Sequence, residues 1–228
     1  MRTITTACVP ALLLTALLSG IQTSPANACT TFTHEAEDGI VFAGNMDLLV
    51  PVGGLVMVNR KGIAKRNIRP NEDGTTANWI TSYGSVSFNI AGKGFAWGGL
   101  NEAGLAIQTL EVRTEKYPKP DHRIPLDNGS WIQYALDMAG SVADVIAMDK
   151  TIRPVKDGGY GFHVIVADAS GASAVIEYID EEMVVYTGKT LPVRALSNIS
   201  YEEALWSYRN DGPRWWWFGM GDSPHRFA

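Results

Sequence analysis

Apolar and polar positions alternate in short bursts along this chain, and most of the bursts are strand-length. Thr30 to His34 and Ile40 to Ala43 are β-prone runs on either side of Glu37-Asp38-Gly39, which predicts a hairpin. Leu55 to Asn59 predicts another strand, ending at Lys61-Gly62. Lys65 to Thr76 is polar, contains Pro70 and Asp73-Gly74, and reads as a loop. Trp79 to Asn89 alternates enough for one strand, and Phe95 to Val112 predicts two strands around Asn101-Glu102-Ala103-Gly104. Tyr117 to Asn128 carries Pro118, Pro120 and Pro125 and is an extended connection. Ser130 is the expected N-cap of a helix running through Met138, and Ser141 that of a second helix, Val142 to Met148, with Asp144 in its first turn. Strands follow at Phe162 to Ala167, Ala172 to Ile179, Met183 to Thr187 and Val193 to Ser197, then a helix from Tyr201 to Arg209. Strands, then helices, then strands, then a helix predict an α+β fold with antiparallel sheets rather than a doubly wound parallel one.

The first residues break this pattern. Met1-Arg2 is weakly basic, Val9 to Leu18 is a compact apolar run, and Ala26-Asn27-Ala28 places small residues where a signal peptidase needs them. Residues 1–28 therefore read as a signal peptide and 29–228 as one domain, with a periplasmic or secreted location. The apolar run is too short to span a bilayer core of ~30 Å as a helix, so no stable membrane insertion is expected after cleavage. The far end carries Arg214-Trp-Trp-Trp-Phe218, an aromatic cluster that would be sticky if exposed.

Composition narrows the classes. With 46% hydrophobic and 19% charged residues the chain is globular rather than disordered, and its net charge of −5 argues against a nucleic-acid partner. There is no His-Glu-x-x-His pair, no phosphate-binding Gly-rich loop and no Gly-x-Ser-x-Gly elbow. The histidines His34, His122, His163 and His225 are scattered, and His163, in an apolar strand, reads as a satisfied structural residue. No metal or organic cofactor is expected.

The cysteine count then becomes informative. Of two cysteines, Cys8 leaves with the signal peptide and Cys29 becomes the first residue of the processed chain. An amino-terminal cysteine brings its own base: an α-amine with a pKa of roughly 7.7–8.0 beside a thiol near ~8.5. The amine takes the thiol proton, the thiolate attacks a carbonyl carbon, and the amine returns the proton to the leaving nitrogen. Asp47, Asn101 and Asn198 are the acidic and amide residues in conspicuous settings.

Cys29-Thr30-Thr31-Phe32 after such a segment resembles the start of mature choloylglycine hydrolases and penicillin V acylases, linear-amide C–N hydrolases of the N-terminal nucleophile class. Asn45-Met46-Asp47, Tyr83-Gly84-Ser85-Val86, Gly99 to Leu105, Asp168 to Gly171 followed by Ala174 to Tyr178, Leu196-Ser197-Asn198 and Ser223 to Phe227 are similar too, in the same order. The resemblance implies a four-layer αββα fold. It implies Cys29 as nucleophile and base, and Asp47 as hydrogen-bond partner of the amine or thiol. Asn101 would offer its backbone N–H, and Asn198 its side-chain amide, to the oxyanion, and Arg226 would steady the surroundings of the cysteine. Each residue also has a plainer reading. Asp47 could end a strand, Asn101 could hold a turn before Gly104, Asn198 could cap the helix at Tyr201, and Arg226 could be an exposed cation. The implied partner is a small-molecule amide: a conjugated bile acid, a phenoxyacetyl-type penicillin or an N-acyl homoserine lactone. A homo-oligomer is compatible with the sequence.

Two departures stand out. Gly44 occupies the position where the family usually has an arginine, and family members continue well beyond the Arg226-Phe227 motif, so a C-terminally truncated domain is expected. Leu48 also replaces a common aromatic residue. These departures motivate the rival readings: an inactive or binding-only version of the fold, or a surface protein lipidated on Cys29.

Overall fold

The computed structural model describes residues 29–48, 52–68, 74, 76–90, 92–113, 115–156 and 161–211. Residues 1–28, the expected signal peptide, the 214–218 aromatic cluster and Arg226 lie outside the described residues. The hairpin forms as the alternation predicts: β1 (Thr30–Ala36) and β2 (Gly39–Asn45) pair antiparallel from Thr30 opposite Asn45 to Ala36 opposite Gly39. Gly39 takes φ +144° at the turn, a region that a side chain disfavours.

The remaining strands are β3 (Leu55–Asn59), β4 (Ala64–Arg66), β5 (Asn78–Ile80), β6 (Ser85–Asn89), β7 (Ala96–Asn101), β8 (Ala106–Val112), β9 (Ile124–Leu126), β10 (Ile152–Pro154), β11 (Gly161–Ala167), β12 (Ser173–Ile179), β13 (Glu182–Thr187) and β14 (Ala195–Leu196). Seven of them form one antiparallel sheet in the order β13-β12-β11-β8-β7-β6-β3, and β14-β1-β2 form a smaller one. Helices α1 (Asn128–Met138), α2 (Val142–Ala147) and α3 (Tyr201–Asp211) complete the chain.

Side-chain alternation along the central strands divides the interior. Val164, Val166, Ala174, Ile176 and Tyr178 face α1 and α2 and pack with Leu105, Ile107, Ile132 and Leu136. Ile165 and Val175 face the small sheet, where they meet Leu110, Leu196, Leu205, Trp97 and Cys29. Helix, large sheet and small sheet are therefore successive layers of an α+β sandwich, as expected. The helix lies close to the sheet because Gly99 on β7 has no side chain; a Cβ there would stand 2.9 Å from Leu136 Cδ1.

Three local expectations are corrected. The N-cap of α1 is Asp127, not Ser130: Asp127 is extended and its carboxylate accepts from Ser130 N at 3.0 Å. Trp79 to Asn89 is two strands, broken where Ser82 N and Tyr83 N turn to the Asp137 carbonyl at 2.9 and 3.0 Å. The polar run after Lys65 begins in β4, which pairs with β5. In addition, β9 and β10 pair in parallel, which the local pattern does not signal.

Candidate active site

Cys29 immediately precedes β1 and is buried against the small-sheet face of the large sheet. Two segments reach it. The stretch after β2 places the Asp47 carbonyl 3.8 Å from the thiol, which donates to it. The stretch after β14 places Asn198 so that its Oδ1 accepts from Cys29 N at 2.7 Å. Asn198 is itself held, because its Nδ2 donates to the Glu111 carbonyl on β8 at 2.8 Å. Asn45 fixes the next residue, its Oδ1 accepting from Thr30 N at 2.9 Å.

The electrostatics disfavour the thiolate. Burial pushes the Cys29 thiol up from its usual value, and the charges of Asp47 and Glu111 add to the rise; hydrogen bonding to the Asp47 backbone and to Asn198 opposes it. Gly44, opposite Thr31 in the hairpin, contributes no charge. A Cβ at Gly44 would stand 2.6 Å from Thr31 Oγ1, a buried hydroxyl with no hydrogen-bond partner among the described residues.

The structure thus brings Cys29, Asp47 and Asn198 together. Asn101 does not take its expected role. Its backbone N–H donates to the Leu105 carbonyl at 3.0 Å, closing the turn before Gly104, which has φ +85°. Its Oδ1 accepts from Ala103 N and Leu105 N, and its Nδ2 donates to the carbonyls of Leu136 and Ala139 at the end of α1. Asn101 holds a turn and ties it to the helix, the plainer of its two readings, because every one of these partners is local or on the helix side of the sheet. Glu111, which orients Asn198, carries no motif that singles it out in the sequence.

A groove of about 1090 Å³ opens between β2 and strands β3, β6, β7 and β8. Phe42, Phe88, Trp97 and Leu100 supply apolar walls, and Asn45 and Gln108 supply polar atoms. Phe42 and Trp97 also pack in the cluster that holds Cys29, so the groove and the thiol share a wall. An apolar groove with a few polar groups suits an acyl chain or ring system. The three metal-ligating side chains that come together among the described residues, Glu115, His163 and Glu177, are engaged in protein hydrogen bonds and lie inside the fold.

Residues 29–205 match the linear amide C-N hydrolases, choloylglycine hydrolase family. The chain belongs to this family. A penicillin V acylase of Pectobacterium atrosepticum is 35% identical over 130 residues, which cover 50% of this chain and 35% of that protein. The structure of penicillin V acylase from Agrobacterium tumefaciens superposes with a TM-score of 0.69 at 27% identity, covering 79% of this chain and 56% of that one. A mutant of the conjugated bile acid hydrolase from Clostridium perfringens shares the fold, with a TM-score of 0.67 at 18% identity over 81% of this chain and 57% of that one. The chain spans about a third of the length of the Pectobacterium acylase and little more than half of the two solved hydrolases. The match begins at Cys29, the residue around which Asp47 and Asn198 converge.

Proposed function

We propose that this member of the choloylglycine hydrolase family is exported, is cleaved after Ala28, and hydrolyses a small-molecule amide with Cys29 as nucleophile. The observation that carries the reading is the hydrogen bond from Cys29 N to Asn198 Oδ1. After cleavage that nitrogen is an amine, and the same bond holds it beside its own thiol. The amine takes the thiol proton and the sulfur attacks the amide carbonyl carbon. The C–N bond breaks as the amine protonates the leaving nitrogen, and water then hydrolyses the thioester to the free acid. The Asn198 amide carries two protons; one goes to the Glu111 carbonyl and the other serves the oxyanion. The relatives named penicillin V acylase and the apolar groove favour a phenoxyacetyl-type penicillin over a conjugated bile acid or an acyl homoserine lactone.

The test begins with the intact mass of the exported protein, which should correspond to an unmodified chain starting at Cys29. A diacylglycerol adduct on Cys29 would end the reading in favour of a lipid anchor. A hydrolysis panel of penicillin V, glycocholate and an N-acyl homoserine lactone should show turnover of penicillin V. Because the thiol is raised, the rate should climb through the alkaline side of the usual thiol range instead of levelling near neutral pH. Asn198→Ala should lower kcat about 100-fold by removing both the amine anchor and an oxyanion donor.

One observation favours a second reading, a binding-only member of the family. Among the described residues, both charges that act on the Cys29 thiol are acidic, and Gly44 brings no arginine to offset them. Gly44→Arg separates the two. The Thr31 hydroxyl, 2.6 Å from the Cβ position, must turn aside to admit the side chain, with the Thr30 carbonyl at 3.2 Å, and the substitution puts a cation in the residue just before Asn45-Met46-Asp47. An amidase short of one cation should gain about tenfold in kcat/KM, with its pH profile moved about one unit towards acid. A binding protein should show no turnover with either residue.

A further inference from the structure

The segment Ser197–Tyr201 carries Asn198 from β14 to α3, and it is fastened at both ends by one pair of buried side chains. His163 on β11 and Glu177 on β12 stand one register step beyond the Val164–Ile176 pair, with His163 Nδ1 2.8 Å from Glu177 Oε1. Both face the small sheet, as Ile165 and Val175 do, and both are 1% exposed. His163 Nε2 meets the Ser197 carbonyl at 2.8 Å, the residue before Asn198. Glu177 Oε1 accepts from Tyr201 N at 2.8 Å, on the other side of Asn198. The backbone that presents Asn198 is thus gripped from below at two points. The carboxamide above them reaches two groups outside its own segment, Cys29 N and the Glu111 carbonyl.

The hydrogen-bond inventory explains why these two residue types stand here. Each ring nitrogen of His163 faces an oxygen, so a neutral imidazole with one N–H cannot donate to both. Through these contacts the Ser197 carbonyl and the Tyr201 N–H are both satisfied, and Glu177 Oε2 has no partner among the described residues. Glu115 completes the cluster and accepts from Tyr178 N. Burial pushes its carboxyl up to about 9; the Tyr178 hydrogen bond opposes this and the Glu177 charge adds to it. At neutral pH it is protonated and brings no second negative charge beside Glu177. A single apolar substitution in this buried polar pair would leave its partners unsatisfied.

We propose that His163 and Glu177 are positioning residues for the reaction: together they clamp the Ser197–Tyr201 segment and so set the Asn198 carboxamide on the Cys29 amine and the oxyanion. The inference rests on the assignment of Cys29 as nucleophile and goes beyond it in naming what aligns the site. An error of about 1 Å in such an alignment costs on the order of 100-fold in rate.

The experiment compares Glu177→Leu, Glu177→Gln and His163→Asn with the parent chain by two readouts, each on protein shown by cooperative thermal unfolding to be folded. One is penicillin V hydrolysis, separated into kcat and KM. The other is the pH profile of Cys29 alkylation by iodoacetamide, followed on the Cys29 peptide by mass spectrometry. Because the Asn198 hydrogen bond lowers the thiol, its displacement is read there without any turnover. Glu177→Leu should move the alkylation midpoint upward, slowing the reaction at pH 8 about threefold. It should also lower kcat about 100-fold with KM within about twofold of the parent. Glu177→Gln keeps an Oε1 acceptor and should restore both readouts to within about fivefold of the parent. His163→Asn is too short to span Glu177 and Ser197, should behave as Glu177→Leu does, and decides the matter if the leucine variant does not fold. A folded Glu177→Leu or His163→Asn chain with the parental alkylation profile overturns the clamp, as does a glutamine variant no better than the leucine one. Shifted alkylation in the variants of a parent that hydrolyses none of penicillin V, glycocholate and the acyl homoserine lactone keeps the clamp and defeats the amidase reading.

Discussion

Cys29→Ala is expected to abolish amide hydrolysis, with kcat at least about 10⁴-fold below the parent, while the fold survives. The two halves of this outcome have separate causes. On the proposed reaction the chemistry is lost because the sulfur would form the acyl intermediate, and among the described residues that reach Cys29 no group replaces it. Asp47 presents a backbone carbonyl to the thiol, and Asn198 presents a carboxamide oxygen to the nitrogen. The fold survives because the residue contributes a small side chain to a cluster built by Trp97, Leu110, Ile165, Val175 and Leu196. Loss of a buried sulfur costs about 1–2 kcal/mol, well below the stability of an ordinary domain. The backbone nitrogen of residue 29 keeps its bond to Asn198 Oδ1 in the alanine variant. Cys29→Ser keeps a hydroxyl in place of the thiol, and any residual turnover should be far slower, since the amine activates a hydroxyl much less readily than a thiol. Steady-state penicillin V hydrolysis, with urea unfolding as the control, checks both halves. Full activity in Cys29→Ala would remove the nucleophile from the scheme altogether.

How far the sequence leads depends on whether each feature is local. The 30–45 hairpin is legible because its alternation and the turn at Asp38-Gly39 lie within one short window, and residues 39–45 adopt the expected strand. The cap of α1 is harder to place because Asp127, Asn128 and Ser130 are all plausible starts. Asp127 is the cap because its carboxylate accepts from Ser130 N, and Gly129, with no Cβ, lets the first turn lie against Phe95. Asn101 shows how one residue type serves two purposes: the asparagine that closes a turn before a left-handed glycine looks the same in sequence as one that serves an oxyanion. Its partners at Leu136 and Ala139 become evident once the helix is placed on the sheet. Asn198 stands out through its motif, but what holds it does not. Glu111 and the His163–Glu177 pair come from three strands brought side by side, and no local spacing records that adjacency.

Asp137→Ala is expected to destabilise the protein by about 3–5 kcal/mol, the largest single effect on stability outside the apolar core. Asp137, near the end of α1, has a fully buried side chain on which three donors converge. Lys65 Nζ lies 3.0 Å from Oδ1, Gln133 Nε2 lies 2.9 Å from the same oxygen, and Trp79 Nε1 lies 2.7 Å from Oδ2. Its backbone carbonyl accepts from Ser82 N and Tyr83 N. These bonds help draw the start of the polar run that reads as a loop into β4, because Lys65 on β4 and Trp79 on β5, its partner strand, both end on this carboxylate. Burial lowers the Lys65 ammonium, and the Asp137 charge and hydrogen bond oppose that fall without cancelling it. Alanine leaves the indole N–H and the Gln133 amide without this acceptor and takes the carboxylate partner from the half-buried ammonium, which keeps the Asn59 Oδ1 bond at 3.0 Å. The cost of those unmet donors exceeds the net worth of the bonds themselves. An asparagine side chain keeps one acceptor oxygen; Asp137→Asn should therefore cost less, about 1–3 kcal/mol. Pairing Asp137→Ala with Lys65→Met should recover part of the loss, because the uncompensated charge goes with the lysine. Urea midpoints of the three variants give the comparison. A double variant no more stable than Asp137→Ala would mean that the indole and amide donors, not the ammonium, carry the penalty.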